Sequence, residues 1–316
     1  MRDLSVALLA VASAQPLWAC DLCSVYAANE ARGEAGQGVF AGVAEQFTHF
    51  GTMQEEGHEV PNEAGQFLDS SISQLFLGYN FSERFGLQFN LPLIYRSFQR
   101  PAGLGSERGT ESGLGDASLV GHFQVLRHDS MDTTFTWQLL AGVKFPTGDA
   151  GRIAEELDET APPPGAPESG IHGHDLTLGT GSWDGIVGSG VYYRWQRAFL
   201  AGNVQYALRS RGDCGYQFAN DLIWSGGPGA SLALNHNYSL SLQANVSGEH
   251  KGTDNLNGET AADTGIDSVF FGPELAFTWT DKLSAELGVD VPVSTNNTAL
   301  QLVPDYRIRA AFTWRF

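Results

Sequence analysis

Two imidazoles and a carboxylate lie within four residues of the sequence, at His172, His174 and Asp175. In an extended segment, side chains two positions apart point the same way, so His172 and His174 could share a metal ion. Neighbouring acids, with His49 and His58 near another loop, could complete a copper, nickel or zinc site. The alternative is a polar loop that carries two histidines and no ion.

Cys20 and Cys23 form a C-x-x-C near the N-terminus. Ser24 follows, where covalent c-type haem attachment needs histidine, and one cysteine pair alone cannot complete a tetrahedral zinc site. In an oxidising compartment we expect a disulfide between Cys20 and Cys23, with a redox or metal role as the alternative. Cys214 is far from both in sequence, and we expect a free thiol in an outer loop.

Catalysis is not expected from this sequence. His174, Asp175 and Ser182 are near one another, but their spacing fits no motif of nucleophile, base and orienting acid. We therefore predict no catalytic residue and no cofactor, and a barrel hydrolase is the third and least favoured function.

The last strand shows which elements position these groups. Small or apolar side chains occupy every second position from Tyr306 to Phe316, and Arg307, Arg309 and Arg315 lie between them. Because successive side chains of a strand point to opposite faces, one face is apolar and the other is strongly basic. A membrane-spanning barrel strand needs this pattern, with lipid outside and a polar lumen inside, whereas a soluble sandwich rarely places three arginines so close together.

Alternation recurs in twelve segments. They lie near residues 38–50, 70–81, 84–98, 114–126, 133–146, 183–195, 197–209, 217–234, 237–248, 267–279, 282–293 and 305–316. Short links alternate with the long links 51–69, 99–113, 147–182, 210–216, 249–266 and 294–304. The sequence therefore predicts an all-β fold, a transmembrane antiparallel up-and-down barrel of about 12 strands with short periplasmic turns and long external loops.

Composition and the N-terminus agree with a membrane barrel. Charged residues make up 17% of the chain and the net charge is −18, which argues against a nucleic-acid partner. Residues 1–19 resemble a secretory signal, 20–37 are a periplasmic segment, and 38–316 form the barrel; lipidation of Cys20 is an alternative. We expect the protein to reach the outer membrane of a Gram-negative bacterium through the periplasm. The expected partners are membrane lipid, lipopolysaccharide and the barrel-assembly machinery, which would bind the C-terminal strand.

The predicted inner face carries both signs of charge. The expected lumen-lining residues are Arg96, Lys144, Arg194, Arg209, Arg307, Arg309 and Arg315, with Asp116, Asp184, Glu274, Glu286 and Asp290. They either pair and fill a narrow lumen or set up a field across a pore. The link 147–182, with its proline-rich tip, is either an external lid or a segment folded back into the lumen.

Three motifs resemble a known family. Gly113-Leu114-Gly115-Asp116, Lys144-Phe145-Pro146-Thr147-Gly148 and the run 178–184 (Leu-Gly-Thr-Gly-Ser-Trp-Asp) resemble the outer-membrane channel family named from the meta-pathway of phenol degradation. This resemblance, over roughly residues 70–316, implies passive or facilitated transport of small, often hydrophobic or aromatic molecules. The alternative is a structural barrel with a blocked lumen that engages a periplasmic partner or metal through Cys20 and Cys23.

Thiol labelling tests the cysteine assignment. If Cys20 and Cys23 form a disulfide, maleimide added to unreduced protein should modify Cys214 alone, as read by peptide mass spectrometry. Labelling of all three cysteines would show that the pair is open.

Overall fold

A computed structural model describes residues 37–157 and 163–316 of the 316-residue chain. The expected signal peptide, Cys20 and Cys23 lie outside the described residues, so their predictions stay untested. None of the helices in the described residues is long and apolar enough to cross a membrane.

The described residues form seventeen strands and three short helical segments. The strands are β1 (Gly38–Glu55), β2 (His58–Val60), β3 (Phe67–Asn80), β4 (Phe85–Ala102), β5 (Gly105–Leu114), β6 (Ser118–Asp129), β7 (Thr133–Lys144), β8 (Asp184–Trp195), β9 (Ala198–Leu208), β10 (Tyr216–Gln217), β11 (Asp221–Leu234), β12 (Tyr238–Lys251), β13 (Asp254–Leu256), β14 (Glu259–Ala261), β15 (Ile266–Trp279), β16 (Leu283–Asn297) and β17 (Leu300–Arg315). The helical segments are 3₁₀ turns at Gly151–Leu157 and Asp213–Gly215 and one α-helical turn, α1 (Gly173–Leu176).

Twelve strands close into an antiparallel barrel, which confirms the predicted fold. Their order around the wall is β1, β3, β4, β6, β7, β8, β9, β11, β12, β15, β16 and β17. The first and last strands pair from Phe40 opposite Arg315 to Glu55 opposite Leu300, with irregularities near Phe50. This pairing removes the two open edges that a flat sheet would have.

The outer face of the wall is apolar, as the alternation predicted. Side chains that point outward and are exposed include Leu75, Leu77, Leu119, Val191, Leu242, Leu275, Leu287, Val289 and Ile308. Aromatic side chains such as Tyr79, Phe85, Trp195 and Trp279 are exposed where the strands begin and end. An apolar band bordered by aromatic rings is the surface that a bilayer requires of a spanning barrel.

The two ends of the barrel differ. At the turn end, the barrel strands are joined by short links such as 81–84, 196–197 and 280–282. At the loop end, two segments predicted as loops prove to be strand. Residues 99–113 form most of the β4–β5 hairpin, and residues 294–304 form a tight turn at Thr298 and Ala299 between extended strands. Residues 105–113 and 294–298 are polar or glycine throughout, so they lack the alternation that marks a strand crossing lipid.

The strand predicted at 114–126 begins later than expected, at Ser118. Both β5 and β6 pair with β4, and residues 115–117 bulge out of the ladder opposite Pro92. Pro92 has no N–H to donate to the ladder, and its carbonyl accepts a 2.8 Å hydrogen bond from the Gly115 N–H. This bulge takes Asp116 out of the strand.

A charge on the apolar face should destabilise the barrel. Leu275 lies in the middle of the outward row of β15 and is 40% exposed. Leu275→Arg should lower the free energy of unfolding by about 2–4 kcal/mol, because the guanidinium is forced into hydrocarbon. Urea titration of the protein folded in lipid vesicles measures this.

The matched control is Leu104→Arg, in the exposed β4–β5 turn, where the side chain is 81% exposed. Its cost should stay within about 0.5 kcal/mol. Equal costs for the two variants would contradict the assignment of the lipid-facing surface.

Candidate functional site

Residues 168–182, called the plug here, fold back into the loop end of the barrel. Ile171 and Leu176 are fully buried and pack on Leu68, Phe98 and Leu302, which lie on β3, β4 and β17. The exposed residues Pro163 and Pro164 precede the plug. Of the two alternatives for the link 147–182, the described part therefore folds back into the lumen.

Backbone hydrogen bonds hold the plug to the wall. The Leu302 N–H donates to the Gly170 carbonyl at 3.0 Å, and the Gly170 N–H donates to Gln66 Oε1 at 2.9 Å. The Arg96 guanidinium donates to the carbonyls of Asp175 and Thr177, the latter at 2.7 Å. Arg96, one of the expected lumen-lining residues, thus binds the plug through these two carbonyls and is 3% exposed.

A buried ionic cluster anchors the end of the plug. Lys144 Nζ lies 2.5 Å from the Asp116 carboxylate and 2.8 Å from that of Asp184. Lys144 also donates to Thr180 Oγ1 at 2.6 Å, and Thr180 belongs to the plug. Asp116 lies in the bulge after β5, which places its carboxylate beside Lys144. The same carboxylate accepts a 3.0 Å hydrogen bond from the Gly148 N–H.

Arg209 extends this cluster along the wall. Its guanidinium lies 2.7 Å from Asp184 and 2.6 Å from Asp221, and all three side chains are at most 1% exposed. Asp221 was missed by the sequence reasoning, which placed it within a strand predicted at 217–234. Asp221 is the first residue of β11 and pairs with Arg209, which directly follows β9.

A second ionic group lies on the inner face of the neighbouring strands β12, β15, β16 and β17. Arg309 lies 2.7 Å from Asp290 and 3.2 Å from Glu274, on two neighbouring strands. Arg307 bonds to Glu249 and lies over the Phe270 ring, 4.2 Å from its centroid. The structure thus brings four of the expected lumen residues together and adds Glu249.

Beside this group lies a chamber of about 190 Å³. Its charged lining residues are Arg307, Arg309, Glu274 and Glu286. Six amide side chains also border it: Gln46, Gln74, Asn203, Gln205, Gln243 and Asn245. Amides donate and accept hydrogen bonds without net charge. The chamber wall can therefore satisfy polar groups of a bound solute.

Towards the turn end, rings narrow the lumen. Phe40 and Phe76 pack with ring centroids 6.5 Å apart. Gly78 leaves room for this contact, because a Cβ there would lie 2.1 Å from the Phe40 ring. Of the expected lumen residues, Arg194 lies near this end and donates to Thr134 Oγ1 at 2.8 Å, and Arg315 pairs with Phe40 at the end of β17.

The histidines lie in a helical turn of the plug, so the extended conformation predicted for them is wrong. His172 precedes α1 and His174 is inside it, and their rings stack with centroids 5.6 Å apart. His174 Nδ1 lies 3.0 Å from Glu156, and His172 Nδ1 lies 3.1 Å from Asp263. His49 and His58 do not join them: His49 lies beside Asp69, and His58 is exposed on β2.

Two neighbouring carboxylates determine the protonation state of His174. Burial alone lowers the pKa of His174, but the carboxylates of Asp175 and Glu156 outweigh it and raise the pKa to about 10. Burial alone raises the pKa of Glu156, but its hydrogen bond to His174 outweighs this and lowers the pKa to about 2. The pair is therefore charged at neutral pH.

The residues weighed for hydrolysis are not arranged as a triad. The Ser182 hydroxyl donates to Asp184 at 2.8 Å, while the His174 ring is bound between Glu156 and Asp175. A nucleophile needs a base within hydrogen-bond reach, and here the serine and the histidine have other partners.

Comparisons with known proteins show the fold. The chain is similar to the crystal structure of the COG4313 outer membrane channel from Pseudomonas putida F1, with a TM-score of 0.62, 16% identity and coverage of 93% of this chain and 100% of that one. The toluene transporter TodX of P. putida gives a TM-score of 0.39 at 8% identity, covering 90% and 91%. The β domain of the Bordetella autotransporter BrkA gives 0.47 at 10% identity, covering 89% and 100%. No protein-family model and no curated protein matches the sequence.

Removing the shared cation of the buried cluster should destabilise the fold. Arg209→Met leaves Asp184 and Asp221 facing each other without their arginine and should cost about 3–5 kcal/mol of unfolding free energy. Arg127→Met is the matched control, because Arg127 is 33% exposed in its pair with Asp129 and the substitution should cost about 1 kcal/mol or less. Urea unfolding in vesicles compares them, and similar costs would contradict an anchoring role for the cluster.

Proposed function

We propose that this protein is an outer-membrane channel through which small molecules pass by passive or facilitated diffusion. The observation that carries the proposal is a polar chamber inside a closed, externally apolar barrel, beneath a plug that hydrogen bonds, ion pairs and apolar packing hold in the loop end. A barrel that served only as an anchor would have no need of an amide-lined space. The turn end would face the periplasm and the loop end the exterior.

The lining of the chamber suggests the solute class. Six amide side chains and paired charges favour a small amphipathic molecule, whose polar groups they would bind, over a purely apolar one. Apolar side chains of Ile72 and Ile223 also border the chamber and would contact a hydrophobic part, including an aromatic ring. The membership in the phenol meta-pathway channel family that the sequence motifs suggest fits this class.

The lumen-lining residues would act in two ways. Arg96, Lys144 and Arg209 hold the plug or its anchors, so they control opening. Arg307, Arg309, Glu274 and Glu286 border the chamber, so they orient the solute. We propose no catalytic role for any of them.

A blocked barrel is the second candidate, and one observation favours it. The lumen is filled at the loop end by the plug and narrowed at the turn end by Phe40 and Phe76. In that case the protein would act through a periplasmic partner of the segment 20–37, by way of Cys20 and Cys23.

Planar-bilayer recording separates the two candidates. Pure protein should give stepwise currents, and Arg96→Met should increase the ratio of open to closed channels about 10- to 150-fold, because loss of charged hydrogen bonds to the plug costs about 1.5–3 kcal/mol of docking. Arg127→Met, far from the plug, should match the wild type. Absence of steps from both the wild type and Arg96→Met would favour the blocked barrel.

A further inference from the structure

The plug carries a cluster that the channel function does not use. One ligand atom each from His172, His174 and Asp175 can be chosen so that all three lie within 4.8 Å of one another. The side chains of His172 and His174 are 12% and 4% exposed. Two imidazoles and a carboxylate form a donor set suited to zinc, copper or nickel.

The surroundings of both rings supply an independent observation. His174 Nδ1 faces Glu156 and His172 Nδ1 faces Asp263, at 3.0 and 3.1 Å. The His174 contact is the hydrogen bond that a metal-bound histidine usually makes from its second ring nitrogen to a carboxylate, which fixes the ring and leaves Nε2 for the ion. On His174, Nε2 lies 3.4 Å from the Asp175 carboxylate, so the nitrogen is already beside the third donor.

An ion could reach the cluster from the loop end. A cavity of about 260 Å³ opens there, bordered by His172 and Glu156 and by Arg100 with its ion-pair partners Glu107 and Glu155. On the inner side, His174 and Asp175 border a second cavity of about 80 Å³. The cluster therefore lies in the partition between the exterior and the lumen, beside a cavity that an ion can enter.

We propose that His172 Nε2, His174 Nε2 and the Asp175 carboxylate bind one divalent transition-metal ion, with water in a fourth position. Ligands about 2.0–2.2 Å from a tetrahedral ion lie roughly 3.3–3.6 Å from one another. Side-chain rotations that bring the ligand atoms about 1 Å closer together would therefore complete the site. The ion takes the place of the His174 Nε2 proton, which is released to solvent.

Binding would also strengthen the docking of the plug. The metal-bound His174 keeps its Nδ1–H for Glu156 in the 3₁₀ turn, and His172 Nδ1 lies beside Asp263 in the loop before β15. The ion thereby joins three segments of the loop end. Its effect on current rests on the proposed channel function, whereas the site itself does not.

Copper titration followed by electron paramagnetic resonance tests the site. The full chain in detergent, with its thiols alkylated, should bind one Cu²⁺ whose spectrum shows two imidazole nitrogens. His172→Gln should weaken binding about 100-fold and remove one nitrogen. His58→Gln is the matched control, because His58 is exposed on β2 at the same end of the barrel, and it should leave both unchanged.

Equal affinity in wild type and His172→Gln, or an equal loss in His58→Gln, would overturn the site. Asp175→Asn offers a second variant, and heat-dependent electrophoretic mobility shows whether each variant is folded. In parallel, Zn²⁺ added at the loop end of a bilayer-inserted protein should lower the current of the wild type and not that of His172→Gln. Copper binding without any current would remove the channel proposal and leave the metal site standing.

Discussion

The structure depends on one constraint: a backbone that meets hydrocarbon must satisfy every N–H and C=O within the protein. The pairing of β1 with β17 meets it, because it turns a sheet with two open edges into a closed wall. The outward alternation of apolar side chains follows from that closure, since each strand then has one face to lipid and one to the lumen. The apolar outer rows of β15 and β16 are direct consequences.

Closure with only twelve strands leaves little interior space. The lumen is occupied by paired charges, amides and rings, and the plug fills its loop end. Buried ion pairs contribute little net stability, but loss of one partner is costly, so they favour a single arrangement over its alternatives. Lys144 and Arg209 bind Asp184, where the plug returns to the wall. The Arg96 guanidinium holds the helical turn of the plug by donating to its backbone carbonyls.

The strands of the wall could be predicted from the sequence, whereas the arrangement of the residues inside the lumen could not. All twelve barrel strands could be predicted, because lipid imposes a period of two on every strand that crosses it. The β4–β5 hairpin could not, since residues 105–113 carry no large apolar side chain on either face. The helical turn at His174 is set by tertiary contacts of Ile171 and Leu176, which no local pattern encodes.

Charged side chains illustrate the same limit. Alternation alone indicated that Arg309 and Asp290 point inward, yet it could not say that they pair across neighbouring strands. Asp221 was missed because its partner, Arg209, directly follows the neighbouring strand β9 and the pairing depends on register. Glu249 and Asp263 were missed for the same reason: their partners on the last strand and in the plug are distant in sequence.

Closure of the wall is tested most directly by a cross-strand disulfide between its first and last strands. Val43 and Phe312 are register partners on β1 and β17, and both point outward. Residues opposite each other in an antiparallel pair have Cα atoms about 4.5–5.5 Å apart, within the range that a disulfide spans. In a Cys214→Ser background, the pair Val43→Cys and Phe312→Cys should therefore link on mild oxidation, as detected by peptide mass spectrometry, while Val43→Cys with Leu275→Cys should not. Failure of the first pair to link in folded protein would contradict the closed barrel.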